Sequence, residues 1–231
     1  MMCSHNKTAF AAIFDVDGTL VDSMAAWRAS PKQYLDRYHI SCELDLAAEF
    51  DRRGFVGVCH FLAERFPVCG TSEQIQNAIM DGLTSNYRVD FPQIAHAKEY
   101  LKKLRDDGVK ICVLTANLRE LVEPSLERLG MTPYFLFVMS CQEEKLSKSD
   151  PALFRLCAQH LGVDVQHCVM FEDQVRSIQS AKQAGMRAVG IRDRLCPQRQ
   201  EGLSLVADRV IDDYAALLRE DIFQHSEERC G

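Results

Sequence analysis

From residue 94 onward the chain alternates short apolar runs with amphipathic stretches, and a glycine closes most of the stretches. Helical periodicity over 94–106 stops before Gly108, and the apolar run 109–114 follows. A second helical pattern over 118–129 contains Pro124, which predicts a kink, ends at Gly130 and leads to a strand at 135–139. Asp150 and Pro151 open the next helix as N-cap and first-turn proline, and Gly162 closes it. A strand at 168–171, a helix at 174–184 stopped by Gly185, and a strand at 187–191 repeat the unit, and 206–211 and 214–218 complete it. Glycine just past a helix accepts the left-handed turn that ends it. Strands and helices alternating in this way predict a parallel sheet covered on both faces.

The first strand, 9–13, ends in Phe14-Asp15-Val16-Asp17-Gly18-Thr19-Leu20. In an open α/β sheet, ligands bind at the carboxyl ends of the strands. Two like charges there are costly unless a cation, a proton or hydrogen-bond donors offset them. A hard divalent metal is the simplest solution, and Mg2+ on one or two carboxylates keeps positions for water and phosphate oxygens. Asp-Gly is also a common turn pair, so this segment alone leaves an ordinary strand-to-turn junction as the alternative. Between 22 and 91 the pattern changes to helical periodicity at 24–38, 44–50, 56–66 and 72–87, with Thr71 and Gln74 spaced as a capping box. The expected fold is α/β: a Rossmann-like, doubly wound parallel sheet built from 1–21 and 92–231, with an all-helical domain inserted at 22–91. Its crossings, near 22–23 and 89–92, are natural hinges.

At 231 residues the chain is long enough for one core plus such an insertion. The net charge of −6, without a long basic run or a basic stripe interleaved with aromatics, argues against nucleic acid as the partner. It leaves a small anionic substrate open, because the local field decides that. Ten cysteines are scattered without a Cys-x-x-Cys pair, which favours reduced, mostly buried thiols. Cys59-His60 and His167-Cys168 lack the paired spacing of a zinc site. No apolar segment approaches a membrane span and residues 1–7 are polar, so the expected compartment is the cytoplasm, with no membrane partner.

Three further segments fall at element ends on the same predicted sheet edge. Thr115 closes the strand 109–114, and Ala116 and Asn117 open a helix, where a hydroxyl and exposed N–H groups suit a phosphate or form a plain N-cap. Lys148 lies directly before the helix that Asp150 opens, either as a phosphate-neutralising ammonium or as a solvated loop lysine. Glu172-Asp173 ends the strand 168–171, and would complete a metal site with Asp15 or cap the following helix.

Taken in order, Asp15-x-Asp17-Gly18-Thr19, then Thr115, then Lys148, then Glu172-Asp173 resembles the haloacid dehalogenase superfamily. Lys148-Ser149-Asp150-Pro151-Ala152-Leu153-Phe154 is similar to that family's Lys-Pro-x-Pro-x-x-Phe segment, with Ser149 at its first proline. The insertion is similar to the helical cap of the phosphatase and β-phosphoglucomutase branch. The resemblance implies Asp15 as the nucleophile on phosphorus and Asp17 as general acid, then base. It implies Mg2+ on the Asp15 carboxylate, the Asp17 carbonyl and Asp173, with Glu172 bound directly or through water. Thr115, the Ala116 amide and Lys148 would hold phosphoryl oxygens, with Gly18 and Asn117 alongside as substrate-binding positions.

Departures from the family pattern bear on the reaction. Asp17 argues against a dehalogenase proper and against the phosphonate-cleaving relatives. Trp27 stands where the mutase branch carries a cap histidine, and Gly57 where it carries an arginine, which favours a phosphatase. Arg53 is then the candidate reader of the non-reacting part of the substrate, against a plain solvated turn. Gln174 and Ser177 replace the usual Ser and Gly after Glu-Asp. The expected activity is Mg2+-dependent hydrolysis of a small phosphorylated metabolite. A sugar-phosphate mutase and a non-catalytic phosphometabolite-binding protein are the alternatives.

Overall fold

The computed structural model describes residues 9–193, 195 and 197–223. Among them, β1 (Ala11–Phe14), β2 (Lys110–Thr115), β3 (Val138–Ser140), β4 (Cys168–Glu172), β5 (Arg187–Ile191) and β6 (Arg209–Ile211) form one sheet. All pairings are parallel, in the order β3-β2-β1-β4-β5-β6. Between β1 and β2 lie α1 (Met24–Asp36), α2 (Leu46–Arg65), α3 (Ser72–Val89) and α4 (Ala97–Asp106). The later crossovers carry α5 (Arg119–Arg128), α6 (Cys141–Glu144), α7 (Pro151–Leu161), α8 (Val175–Ala184) and α9 (Pro197–Val206). This is the expected Rossmann-like α/β fold with an all-helical insertion. The chain divides into two compact units: Asp22–Pro92, and the described residues on either side of it.

Strand periodicity sorts the sheet residues onto two faces. Ile13, Cys112, Leu114 and Met170 join a buried cluster with Leu153, Phe154 and Cys157 of α7 and Ile178 and Ala181 of α8. Their neighbours in sequence face the other way: Phe14 stacks on Phe171 at 4.3 Å, with Tyr100 of α4 and Tyr214 packed against them. Such a stack contributes about 1 kcal/mol beyond its buried area. Tyr214 donates its hydroxyl to the Thr19 carbonyl at 3.1 Å, which ties this aromatic layer to the loop after β1. Phe14 lies opposite Val113 on one side and Phe171 on the other, so β1 ends two residues before β2 and one before β4, at the same edge of the sheet. The strand order reverses at β1, the place where open α/β sheets leave a crevice.

In the helical unit, Ile75, Ile79 and Leu83 on α3 are buried at the spacing of one helix face. Trp27 donates its indole N–H to the Tyr87 hydroxyl at 2.8 Å and meets Phe55 edge-on. The Thr71–Gln74 capping box is formed in both directions. The two helical patterns at 44–50 and 56–66 are one kinked element, α2, bent where Gly54 takes φ +72°. Only a residue at ease in the left-handed region bends the chain there without strain.

Other departures are local. β3 begins at Val138 rather than at 135, because the apolar Leu136 is exposed rather than packed. The short α6 and the helix α9 carry little apolar periodicity, and β6 starts at Arg209, three residues later than expected. The seven described cysteines are free, six of them buried; Cys3, Cys196 and Cys230 lie outside the described residues. Among the described residues no helix is long and apolar enough to cross a membrane.

Candidate active site

Asp15 extends β1 by one residue, its N–H donating to the Phe171 carbonyl at 3.0 Å. The chain then tightens into a loop in which the Val16 carbonyl accepts the N–H groups of Leu20 and Val21, each at 2.9 Å. Gly18, at φ +78°, makes that turn possible and donates to the Val21 carbonyl at 2.8 Å. A second turn delivers the cation. The Asp150 N–H bonds the Ser147 carbonyl at 2.8 Å and the Asp150 carboxylate caps α7, which leaves Lys148 buried between them. The Lys148 ammonium donates to Asp15 Oδ1 and, at 2.8 Å, to Glu172 Oε2. Glu172 Oε1 accepts the N–H groups of Asp173 and Gln174, both at 3.0 Å, and Gln174 Nε2 donates to Asp173 Oδ2 at 3.3 Å.

Asp15, Glu172 and Asp173 bring one oxygen each within 4.8 Å of one another, and all three residues are buried. Burial first, then the charge of Glu172, push the Asp15 carboxyl up to about 7, against the pull of Lys148; Asp17 adds to the rise. Burial opposes the Lys148 charge, but Asp15 and Glu172 outweigh it and hold the ammonium above its ordinary range. Lys148 is therefore a fixed cation at neutral pH. Three carboxylates around one ammonium leave a surplus of buried negative charge. Hard oxygen donors in that number and proximity suit a small divalent cation.

The neighbouring strand end carries a different arrangement. Thr115, fully buried, accepts the Asn117 N–H on its hydroxyl oxygen at 3.1 Å. The Asn117 amide donates to Asp17 Oδ2 at 2.7 Å. The structure thus ties Asp17 to Asn117 and groups the Asp15, Glu172 and Asp173 oxygens with one another, the first two paired with Lys148. Ala116 has its carbonyl facing Gln142 Nε2 at 3.4 Å. Ser140 donates to the Asn117 carbonyl at 2.9 Å and accepts the Gln142 N–H at 3.3 Å. Ser140 and Gln142 were not anticipated from sequence, although a serine ending an apolar run just before Gln142-Glu143-Glu144 has the form of an N-cap.

Arg53 lies in the helical unit, where it pairs with Glu49 and stands 4.5 Å above the Phe61 ring. A Cβ on Gly57 would come within 2.9 Å of the Arg53 Cβ, so the absence of a side chain there makes room for the arginine stem. Trp27 is a core residue of that unit.

The family model described as haloacid dehalogenase-like hydrolase matches residues 12–191. A fructose-1-phosphate phosphatase, YqaB, of Escherichia coli (strain K12) is 29% identical, with 78% of this chain and 95% of that protein covered. A pyrophosphatase, PpaX, of Bacillus velezensis is 28% identical over 80% of this chain and 84% of its own length. Among solved structures, CbbY from Rhodobacter sphaeroides in complex with xylulose-(1,5)bisphosphate superposes with a TM-score of 0.77 at 19% identity, covering 91% of this chain and 96% of that one.

Proposed function

This chain belongs to the haloacid dehalogenase-like hydrolases, and from that premise we propose that it is a Mg2+-dependent phosphatase of small phosphorylated metabolites that carries the phosphoryl group on Asp15. The observation that carries the reading is the buried cluster of Asp15, Glu172 and Asp173 around Lys148, with its surplus of negative charge. The Asp15 and Asp173 carboxylates and the Asp17 carbonyl would hold Mg2+. Glu172 already accepts Lys148 and two backbone N–H groups, which favours its contact through water. Bound there, Mg2+ supplies neutralisation of phosphoryl oxygen charge.

The chain's own groups do the rest. Lys148 holds Asp15 in place, so the carboxylate meets phosphorus in line with the leaving oxygen. As the Asp15 oxygen–phosphorus bond forms, the ester bond breaks and Asp17 gives its proton to the departing oxygen. Asp17, now a carboxylate, takes a proton from water, which attacks phosphorus and frees Asp15. Thr115, whose oxygen is already occupied by a backbone N–H, presents its hydroxyl proton to a phosphoryl oxygen; Lys148 and the Ala116 amide serve the same group. Residues 22–91 serve as the cap, with Arg53 reading the part of the substrate that does not react. The names of the relatives make phosphorylated sugars the first class to test. Free, mostly buried thiols fit a reducing cytoplasm.

The test is inorganic phosphate release from a panel of sugar phosphates, β-glucose 1-phosphate included, with and without Mg2+. Mg2+-dependent release is expected, falling by at least about 10^4-fold in Asp15→Asn while the variant keeps its fold. Glucose 6-phosphate formed without phosphate release would replace the phosphatase by a mutase. Turnover surviving in Asp15→Asn would remove Asp15 as nucleophile.

A further inference from the structure

The loop after β2 is held from two sides. Asn117 gives its backbone N–H to the Thr115 hydroxyl at 3.1 Å, accepts the Ser140 hydroxyl on its carbonyl at 2.9 Å, and extends its side-chain amide to Asp17 Oδ2 at 2.7 Å. Ser140, fully buried at the end of β3, is fixed in turn by the Gln142 N–H at 3.3 Å. A run of short contacts therefore leads from β3 through Asn117 to a carboxylate 100 positions away in sequence.

We propose that Asn117 is a positioning residue for Asp17 rather than a substrate ligand, a role that rests on the phosphatase reading above. A carboxyl group rotates about its Cβ–Cγ bond, and each orientation presents a different oxygen. The amide holds Oδ2 and so fixes the rotation of the carboxyl group, which sets the direction in which the proton is given and taken. Fixing that choice in advance removes an ordering cost from the step in which the proton crosses to the leaving oxygen. The Asn117 N–H and carbonyl are both engaged, so its side chain is aimed by the backbone and not by the substrate.

Phenyl phosphate and p-nitrophenyl phosphate distinguish these roles. Both have the same ring and the same phosphoryl group. In each, the Asp15 oxygen–phosphorus bond forms as the aryl oxygen–phosphorus bond breaks. Phenolate needs the Asp17 proton to depart, whereas nitrophenolate leaves as a stable anion without it. The quantity to measure is kcat/KM, which covers the steps up to transfer onto Asp15, with Asp17→Asn as the reference.

Asn117→Ala is expected to lose about 10-fold to 100-fold on phenyl phosphate and much less on p-nitrophenyl phosphate, so the ratio between the esters moves toward that of Asp17→Asn. Asn117→Asp keeps the shape but sets an acceptor against Asp17, and should move the ratio at least as far. It also provides the reading if the alanine variant does not fold. Equal losses on both esters would assign Asn117 to substrate holding or to structure and overturn the proposal, as would unchanged rates on both. A wild-type protein that releases phosphate neither from these esters nor from the sugar phosphates would fail at the phosphatase reading itself and take the positioning role with it.

Discussion

The helical unit sets its charges one against another, mostly at the surface: Lys32 meets Asp36 at 2.8 Å on an exposed face, Arg52 and Arg53 share Glu49, and the more buried Arg28 meets Asp51 at 2.6 Å. At the strand ends of the sheet unit, three buried carboxylates lie together, and one ammonium, Lys148, pairs with two of them. Exposed pairs contribute roughly 0–1 kcal/mol each, whereas buried, unbalanced charge opposes folding by several kcal/mol per ion before partners offset it. Buried, perturbed charge of this kind gathers at functional sites, and the contrast marks the strand ends as the candidate site without reference to any relative.

The sharpest way to break the contrast is Lys148→Ala. It leaves like charges facing one another in a buried site and should cost about 3–5 kcal/mol in urea unfolding without Mg2+, part of which added Mg2+ restores. A loss no larger than that of Lys32→Ala, which breaks an exposed pair in the helical unit, would remove the distinction. The pH dependence sharpens it next. Burial and Glu172 hold Asp15 up at about 7, against an ordinary 3.8. Between those values the native state keeps a proton that the unfolded chain has released, so its contribution to stability is full below the lower value and is lost as pH rises through the upper one. Thermal melts of the metal-free protein should therefore fall across that window, and Mg2+, which favours the ionised carboxylate, should flatten the slope.

In the helical unit the effects are smaller. Trp27→Phe gives up the bond to the Tyr87 hydroxyl and part of a buried ring, and should cost about 1–2 kcal/mol in the same denaturation experiment. Arg53→Ala should change stability by less than about 1 kcal/mol, since its pair with Glu49 is partly exposed. Its expected mark is a raised KM with kcat kept. A kcat loss instead would give Arg53 a part in the transition state.

Much of the sheet was legible because its signals are local. Gly108, Gly130, Gly162 and Gly185 take positive φ past the ends of helices. Asp15, Thr115 and Glu172-Asp173 stood out because each is a polar residue at the edge of an apolar run, and Lys148 because it directly precedes the helix that Asp150 opens. Ser140 ends an apolar run too, but locally it signals only an N-cap; that it and Gln142 bond the backbone of another loop has no spacing signal. Gly54 hid a bend inside one helix, and α9 lacked the apolar period that marks its neighbours.

Order of elements, strand polarity and the choice of core face follow from residues within a few positions of one another, and the sequence alone determines them through periodicity, caps and turns. Which charges meet does not follow from any such window. Lys148 reaches Asp15 across 133 positions and Asn117 reaches Asp17 across 100. Those contacts exist only once parallel pairing has brought the ends of β1, β2 and β4 to one edge of the sheet and the side-chain directions on each strand are set. Tertiary packing therefore decided that Glu172 would hold Lys148 as well as the loop, and that Asn117 would turn toward Asp17.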